Sequence, residues 1–301
     1  MDLKHLHTFR TVADTHGFTK AAEILSYAQS SVTAQIQALE EEVGSKLFDR
    51  LGKKVRLTSA GERLLPYAIQ LLELHDRALA EMSAGGSLPS GTLNIGAPES
   101  LAAFRLPDII KEYTELYPDV KIILRPAGCK ELKKLALSGD MDLVFVLEPE
   151  ADDPHLQSET LIHEPMALIA PPAHPLTLLP QVDTLDLKDV SFIHTESDCS
   201  YRLLLEQHLN SHAIYSSSDL EFWSIETIKH CVMSGLGISL LPAIAVKDEL
   251  SSGRLIRLPW DDSPCQVATQ MLYHPGKWLS PALGEFIRLT REHAARWRQC
   301  S

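Results

Sequence analysis

Residues 83–91 read SAGGSLPSG, nine positions of which seven are Gly, Ser or Pro. A stretch of that composition holds neither a helix nor a strand, so the chain must divide there. Before it, apolar residues recur at helical spacing. Beyond it, short apolar runs alternate with helical segments, the pattern of an α/β layer structure. At 301 residues there is enough chain for two or three cores.

The first 57 or so residues predict three helices and a hairpin. Leu3, Leu6, Phe9 and Ala13 form one helical stripe behind Asp2, a good N-cap, and Gly17 ends that helix. A short helix follows over 19–25. A third runs over 29–43, with Val32, Ile36, Leu39 and Val43 on its buried side and Gly44 as its stop. Its other side shows Ser30, Ser31, Thr33, Ala34 and Gln37. Short side chains that both donate and accept hydrogen bonds suit the edges of bases in a major groove, so the pair of helices reads as a helix-turn-helix. Next, KLFDRLGKKVRLT turns at Gly52 and carries Arg50, Lys53, Lys54 and Arg56 with no acid from 50 to 56, a wing suited to phosphates.

Charge agrees with that division. Residues 1–60 hold eight Lys or Arg against seven Asp or Glu, a net of +1, in a chain of net charge −12, so the remainder carries −13. A polyanion-binding end joined to an acidic body is the simplest reading.

The stretch FTKAAEILSYAQSSVTAQIQALEEEVGSKLFDRLGKKVRLTSAG resembles the winged helix-turn-helix of LysR-type transcriptional regulators, with their paired alanines, Q-S-x-x-S/T-x-Q-I-x-x-L-E, L-F-x-R and R-x-L-T-x-A-G patterns. The resemblance implies that Gln29, Ser31, Thr33 and Gln35 lie toward the groove and that Arg50 approaches the minor groove or backbone. Ser30, Lys53, Lys54 and Arg56 complete the candidate DNA-binding set. Two positions depart from the family: Ala28, where Ser often provides a cap, and Ala34, where Arg is frequent.

A fourth helix is expected over 59–83, capped by Thr58 or Ser59 and bent near Pro66. Leu65, Ala68, Leu72, His75, Leu79 and Met82 repeat at 3-4-3-4-3 spacing, a seam for a partner helix. Leu65, Leu72, Leu79 and Met82 are therefore the dimerisation candidates. Residues 84–91 form the hinge.

Beyond the hinge, strands are expected at 92–97, 120–124, 142–147, 166–170, 190–194, 237–242, 254–258 and 267–273, with intervening helices and mostly parallel sheets. LPDIIKEYTELYPDVKIIL and SIETIKHCVMSGLGISLLP resemble the effector region of the same family. That implies two subdomains of periplasmic-binding-protein type, one over about 92–166 plus 267–301 and the other over about 167–266, with a ligand cleft between them. Ligands of such sheets bind beyond strand ends, near helix N-termini. Ser100 is the leading effector contact by resemblance. Gly128, Cys129, Thr195, Ser200, Tyr201, Arg202 and Trp223 complete the candidate list. Arg105 or Arg202 could pair with an effector carboxylate, and a structural salt bridge is the competing role for each.

The family resemblance implies a homotetramer built from dimers, on promoter DNA, with RNA polymerase as a candidate contact. Enzymatic signatures are thin. Gly235-Leu236-Gly237 lacks the third glycine of a dinucleotide loop, and neither a phosphate loop nor a nucleophile elbow is present. No cofactor is expected, and no metal: His208 and His212 stand four apart without the H-E-x-x-H pattern. Cys129, Cys199, Cys231, Cys265 and Cys300 are scattered, with no C-x-x-C pair and no thiol near Cys199 in sequence. No apolar run reaches bilayer length, and MDLKHLHTFR lacks a signal-peptide core, so a cytoplasmic protein is expected. A solute-binding protein would need only the distal half. A thiol or metal enzyme would need a nucleophile and base that the sequence does not show.

Overall fold

The computed structural model describes residues 1–51, 54–83, 88–151, 153–215 and 220–300. It comprises two units, Met1–Ser87 and Leu88–Ser301, each with its own core.

In the first unit, α1 (Leu3–Thr15) starts where the Asp2 carboxylate accepts the Lys4 N–H at 2.8 Å. α2 (Phe18–Leu25) and α3 (Gln29–Val43) follow, and Gly44 ends α3 with φ +67°. Ala28 stands at the N-cap of α3 with no side-chain cap bond. The wing is an antiparallel hairpin, β1 (Phe48–Leu51) and β2 (Lys54–Leu57), with Asp49 opposite Arg56. Val32, Ile36 and Leu39 are buried as the helical spacing requires, beside Leu6, Phe9 and Val12. Phe9 and Phe18 pack their rings on Phe48 with centroids 5.3 and 5.8 Å away, which fixes the wing to the helices.

α4 (Ser59–Ser83) continues through Pro66. Thr58 is its cap: Oγ1 accepts the Gly61 N–H at 3.1 Å and donates to the Lys46 carbonyl at 2.6 Å. Gly61 is required here, because a Cβ would sit 2.3 Å from the Leu47 carbonyl oxygen. The expected seam of α4 divides differently. Ala68 and Leu72 are buried in the unit's own core, and Leu65 packs against it. Leu79 is exposed, and the Met82 side chain lies outside the described residues. The exposed apolar line is instead Tyr67, Leu71 and Leu74, continued by Ala78, at 4-3-4 spacing. Any amphipathic helix on a small domain must first cover that domain, so the first half of the repeat, Leu65 to Leu72, lies on the inner face, whereas His75 and Leu79 are exposed.

The second unit contains two main sheets. The first has the order β4-β3-β5-β12-β6, built from β3 (Gly91–Ala97), β4 (Val120–Pro126), β5 (Leu143–Glu148), β6 (Gln157–Glu164) and, from the far end of the chain, β12 (Val267–Tyr273). Between β3 and β4 lie α5 (Glu99–Phe104) and α6 (Leu106–Leu116), and α7 (Cys129–Ser138) precedes β5. β5 is buried on both faces: Phe145 and Leu147 join the main core, whereas Val144 and Val146 pack beneath α7. The second sheet has β7 (Met166–Ala170) between β10 (Ser239–Pro242) and β11 (Ile256–Arg257). A parallel pair, β8 (Ile193–His194) and β9 (Leu220–Glu221), is followed or preceded by α8 (Ser200–Ser211), α9 (Ile225–Met233) and α10 (Lys247–Ser251). The last helix, α11 (Pro281–Cys300), packs on the first sheet and on α6, whose Tyr113 hydroxyl donates to the Ala282 carbonyl at 2.8 Å.

Mostly parallel sheets were expected, and only part of the first sheet obeys. β3 is parallel to β4 and β5, but β12 is antiparallel to both its neighbours, and β7 is antiparallel to β10 and β11. The exceptions are the strands where the chain crosses from one sheet to the other, at Pro165 and again over 258–267. β6 escapes notice in sequence because it is an edge strand of mixed polarity, QSETLIHE.

At the first crossing, Arg105 meets Glu164 in a buried two-pronged pair, Nε–Oε1 2.9 Å and Nη2–Oε2 2.7 Å. Thr269 donates to the same Oε1 at 2.7 Å, and the guanidinium stacks 4.7 Å from the Trp297 ring centre. The structural role weighed for Arg105 is the one it has.

Candidate functional site

Two surfaces concentrate polar groups. On the first unit, Gln29, Ser30 and Ser31 are exposed at the start of α3 and Thr33 is half-buried beside them. Ala28 gives α3 no side-chain cap, so the N–H groups of its first turn are left to a backbone or ligand partner, the position at which a helix start can meet a phosphate. Gln35 behaves differently from its neighbours. It is half-buried, and its Oε1 accepts the buried Thr8 hydroxyl at 2.6 Å, so it braces α3 against α1. Arg56 is exposed on β2. Lys53 and the side chains of Arg50 and Lys54 lie outside the described residues.

Glu40, which sequence reasoning passed over, connects this face to the wing. Its Oε1 accepts the Leu47 N–H at 2.9 Å and its Oε2 receives Lys46 Nζ at 2.6 Å. Burial pushes the carboxyl up, but the bonds from Lys46 and from the Leu47 and Phe48 N–H groups outweigh it and hold the pKa low. The available signal was spacing: Glu40 stands four places after Ile36, on the side of α3 that the apolar stripe buries.

The other surface is a cavity in the second unit with about 420 Å³ of empty space, part of it open to solvent. It forms where the starts of α5, α7, α8 and α9 converge. Seven of the eight sequence candidates line it: Ser100, Gly128, Cys129, Thr195, Ser200, Tyr201 and Trp223. Arg202 does not. Its guanidinium bonds Glu206 Oε1 at 2.7 Å, Glu221 Oε2 at 2.6 Å and the Thr195 carbonyl. Arg202 stands two residues after Ser200, about 200° around α8 and so on the side of the helix opposite to it.

Two carboxylates enter the lining. Glu99 Oε2 accepts the Ile225 N–H at 2.8 Å, so the residue that opens α5 caps α9 across the cavity. Burial raises its pKa despite that bond. Burial also raises Glu196, helped by the negative charges of Asp198, Glu99 and Glu221. Cys129 and Cys199, 70 positions apart, share this cavity, so Cys199 does have a nearby thiol that the sequence hides. Burial pushes Cys199 up to about 11 and Cys129 up to about 12, which keeps both protonated at neutral pH. Elsewhere, His208 Nε2 and the Thr184 hydroxyl share a hydrogen bond at 2.9 Å, a structural tie.

Comparison with known proteins decides the family. The model described as "LysR substrate binding domain" matches residues 86–295, and that of the "Bacterial regulatory helix-turn-helix protein, lysR family" matches 3–62. The chain belongs to the LysR family.

This LysR-family chain is 43% identical to the uncharacterized HTH-type transcriptional regulator YwqM of Bacillus subtilis, over 97% of this chain and 99% of that one. It is 32% identical to the uncharacterized HTH-type transcriptional regulator YfiE of Escherichia coli, covering 97% and 98%. Among solved structures, full-length OxyR C199D from Pseudomonas aeruginosa shares the fold with TM-score 0.79 at 23% identity, covering 98% of this chain and 94% of that one. As a LysR-type protein the chain is a DNA-binding transcriptional regulator with an effector-binding region, and its relatives are regulators, not enzymes. No helix among the described residues is long and apolar enough to cross a membrane.

Proposed function

We propose that this LysR-type regulator binds its effector in the cavity at the convergence of α5, α7, α8 and α9, and that occupancy biases the arrangement of an assembled regulator on promoter DNA. The observation that carries the reading is the lining itself: residues following β3 and β4 face residues following β8 and β9, so a ligand there touches both halves of the second unit at once. Such a ligand favours one spacing of the halves over another, and regulation needs only about 1–3 kcal/mol of difference between two states.

On the first unit, Gln29, Ser30, Ser31 and Thr33 read base edges, and Arg50, Lys53, Lys54 and Arg56 hold phosphates. The working boundaries are 1–58 for DNA binding, 59–83 for the linker helix, 84–91 for the hinge and 92–301 for the effector region. Two chains pair through α4, as a two-fold DNA site requires, and dimers associate into tetramers able to contact RNA polymerase. The exposed line of Tyr67, Leu71 and Leu74 supports α4 as the pairing element.

A thermal-shift screen of metabolites against the full chain tests the cavity. Compounds that raise the melting temperature should lose their effect in Ser200→Trp, which fills the space. Compounds whose effect survives in that variant bind elsewhere, and the reading then fails.

A further inference from the structure

We propose that the cavity takes a small organic cation, an ammonium or guanidinium compound. The inference rests on the cavity being the effector site and adds the chemical class of the ligand.

Charge is the first reason. Glu99 and Glu196 stand in the lining, which includes no Lys, Arg or His among the described residues. Cations within reach are committed elsewhere. Arg202 is held by Glu206 and Glu221, Arg105 by Glu164, and Lys229 by Glu226 and Glu249 at 2.6 and 3.1 Å. An entering carboxylate would find two negative groups and no counter-charge; an entering cation would find the reverse.

Helix starts, the usual refuge of anions, are occupied too. Glu99 already fills the start of α9 through the Ile225 N–H. At α7, a Cβ on Gly128 would lie 2.9 Å from Asp198 Oδ2, so a carboxylate from the opposite half crowds that start as well. The chain has supplied its own anions at two of the places where a ligand anion would dock.

A second, independent feature calls for a polar ligand. Thr195 lines the cavity with 5% exposure, and its Oγ1 makes no hydrogen bond of ordinary geometry among the described residues, with only the Cys199 thiol and the Tyr201 hydroxyl near enough to interact with it. A buried hydroxyl left without a bond is costly, and a ligand N–H or O–H removes that cost. At the rim, Trp223 is 74% exposed beside Phe222, an aromatic surface suited to the face-on approach of a cation. Burial raises the carboxyls of both Glu99 and Glu196, and a cation beside them would favour their charged forms.

The test is calorimetric titration of the full chain with choline and agmatine, against the neutral choline isostere 3,3-dimethyl-1-butanol and the carboxylates benzoate and succinate. At least one cation should bind. Its affinity should fall about 10-fold or more in Glu196→Gln and in Glu99→Gln, and disappear in Ser200→Trp, while the neutral isostere and the carboxylates give no heat. Binding of benzoate or succinate that Ser200→Trp abolishes would overturn the cation class and leave the cavity reading standing. Cation binding unchanged in all three variants would place the cation outside this cavity and overturn the proposed class. Absence of binding by either cation would overturn the proposed class.

Discussion

Glu99 Oε2 accepts the backbone N–H of Ile225 at 2.8 Å, so one side chain ties the start of α5 to the start of α9, 126 positions on. The bond joins two segments that both line the cavity. Removing the carboxylate should release that N–H. In Glu99→Ala, hydrogen exchange at Ile225 should accelerate about 10-fold, the worth of one bond to a charged acceptor, while Thr227, capped by Ser224, changes little. Mass-spectrometric exchange on peptides spanning 222–230 reads the difference; unchanged rates would mean that the contact carries no closure.

The same carboxyl predicts a pH effect of definite sign. Glu99 and Glu196 keep their protons to higher pH in the folded chain than the ordinary 4.5 of a glutamate. Between 4.5 and the raised values the folded state therefore binds more protons than the unfolded one, and stability falls as pH rises through that window. A Glu99→Gln/Glu196→Gln double variant escapes this loss. Its stability relative to the parent should grow between about pH 4 and pH 7 in urea titrations, and a pH-independent difference would contradict the buried charges.

Arg105 and Glu164 make a different demand. Both are buried, and Arg105→Ala leaves a carboxylate inside the protein with only Thr269 as its partner among the described residues. Denaturant unfolding of the second unit should lose about 3–5 kcal/mol. Loss below about 1 kcal/mol would show that the pair is solvated in solution.

Assembly should follow the outer line of α4. Leu74 is 57% exposed, so Leu71→Glu/Leu74→Glu should yield monomers by sedimentation with a melting curve near that of the unassembled parent. Leu72→Ala should do the opposite: it loses about 2–3 kcal/mol of core packing and leaves the association state unchanged. Monomers from Leu72→Ala together with an intact assembly from the outer pair would reverse the assignment.

Much of this was legible in the chain. Local patterns gave the three helices, the wing and the strand–helix alternation, because Val32, Ile36 and Leu39 or the run DLVFVL encode burial directly in spacing. Seven cavity residues were also foreseeable, since strand-to-helix junctions converge in such folds. What escaped depends on partners distant in sequence. Gln35 resembles a groove-facing residue until Thr8 is seen against it, and Leu72 resembles a dimer contact until Ile36 and Phe9 are seen to share its cluster. Glu99 resembles a complication for an anion site until Ile225 is found as its partner.

The central claim is sequence-specific DNA binding by the first unit, and the most direct measurement is fluorescence anisotropy of the full chain on its own upstream intergenic DNA. A scrambled duplex competes, and the salt concentration is stepped. The account predicts binding about 10³-fold or more tighter than to the scrambled duplex. In the same titration Gln29→Ala and Thr33→Ala should lose mainly the specific part, while Arg56→Ala weakens both and lowers the salt slope by about 1. Equal losses by all three variants, or no binding to either duplex at low salt, would contradict it.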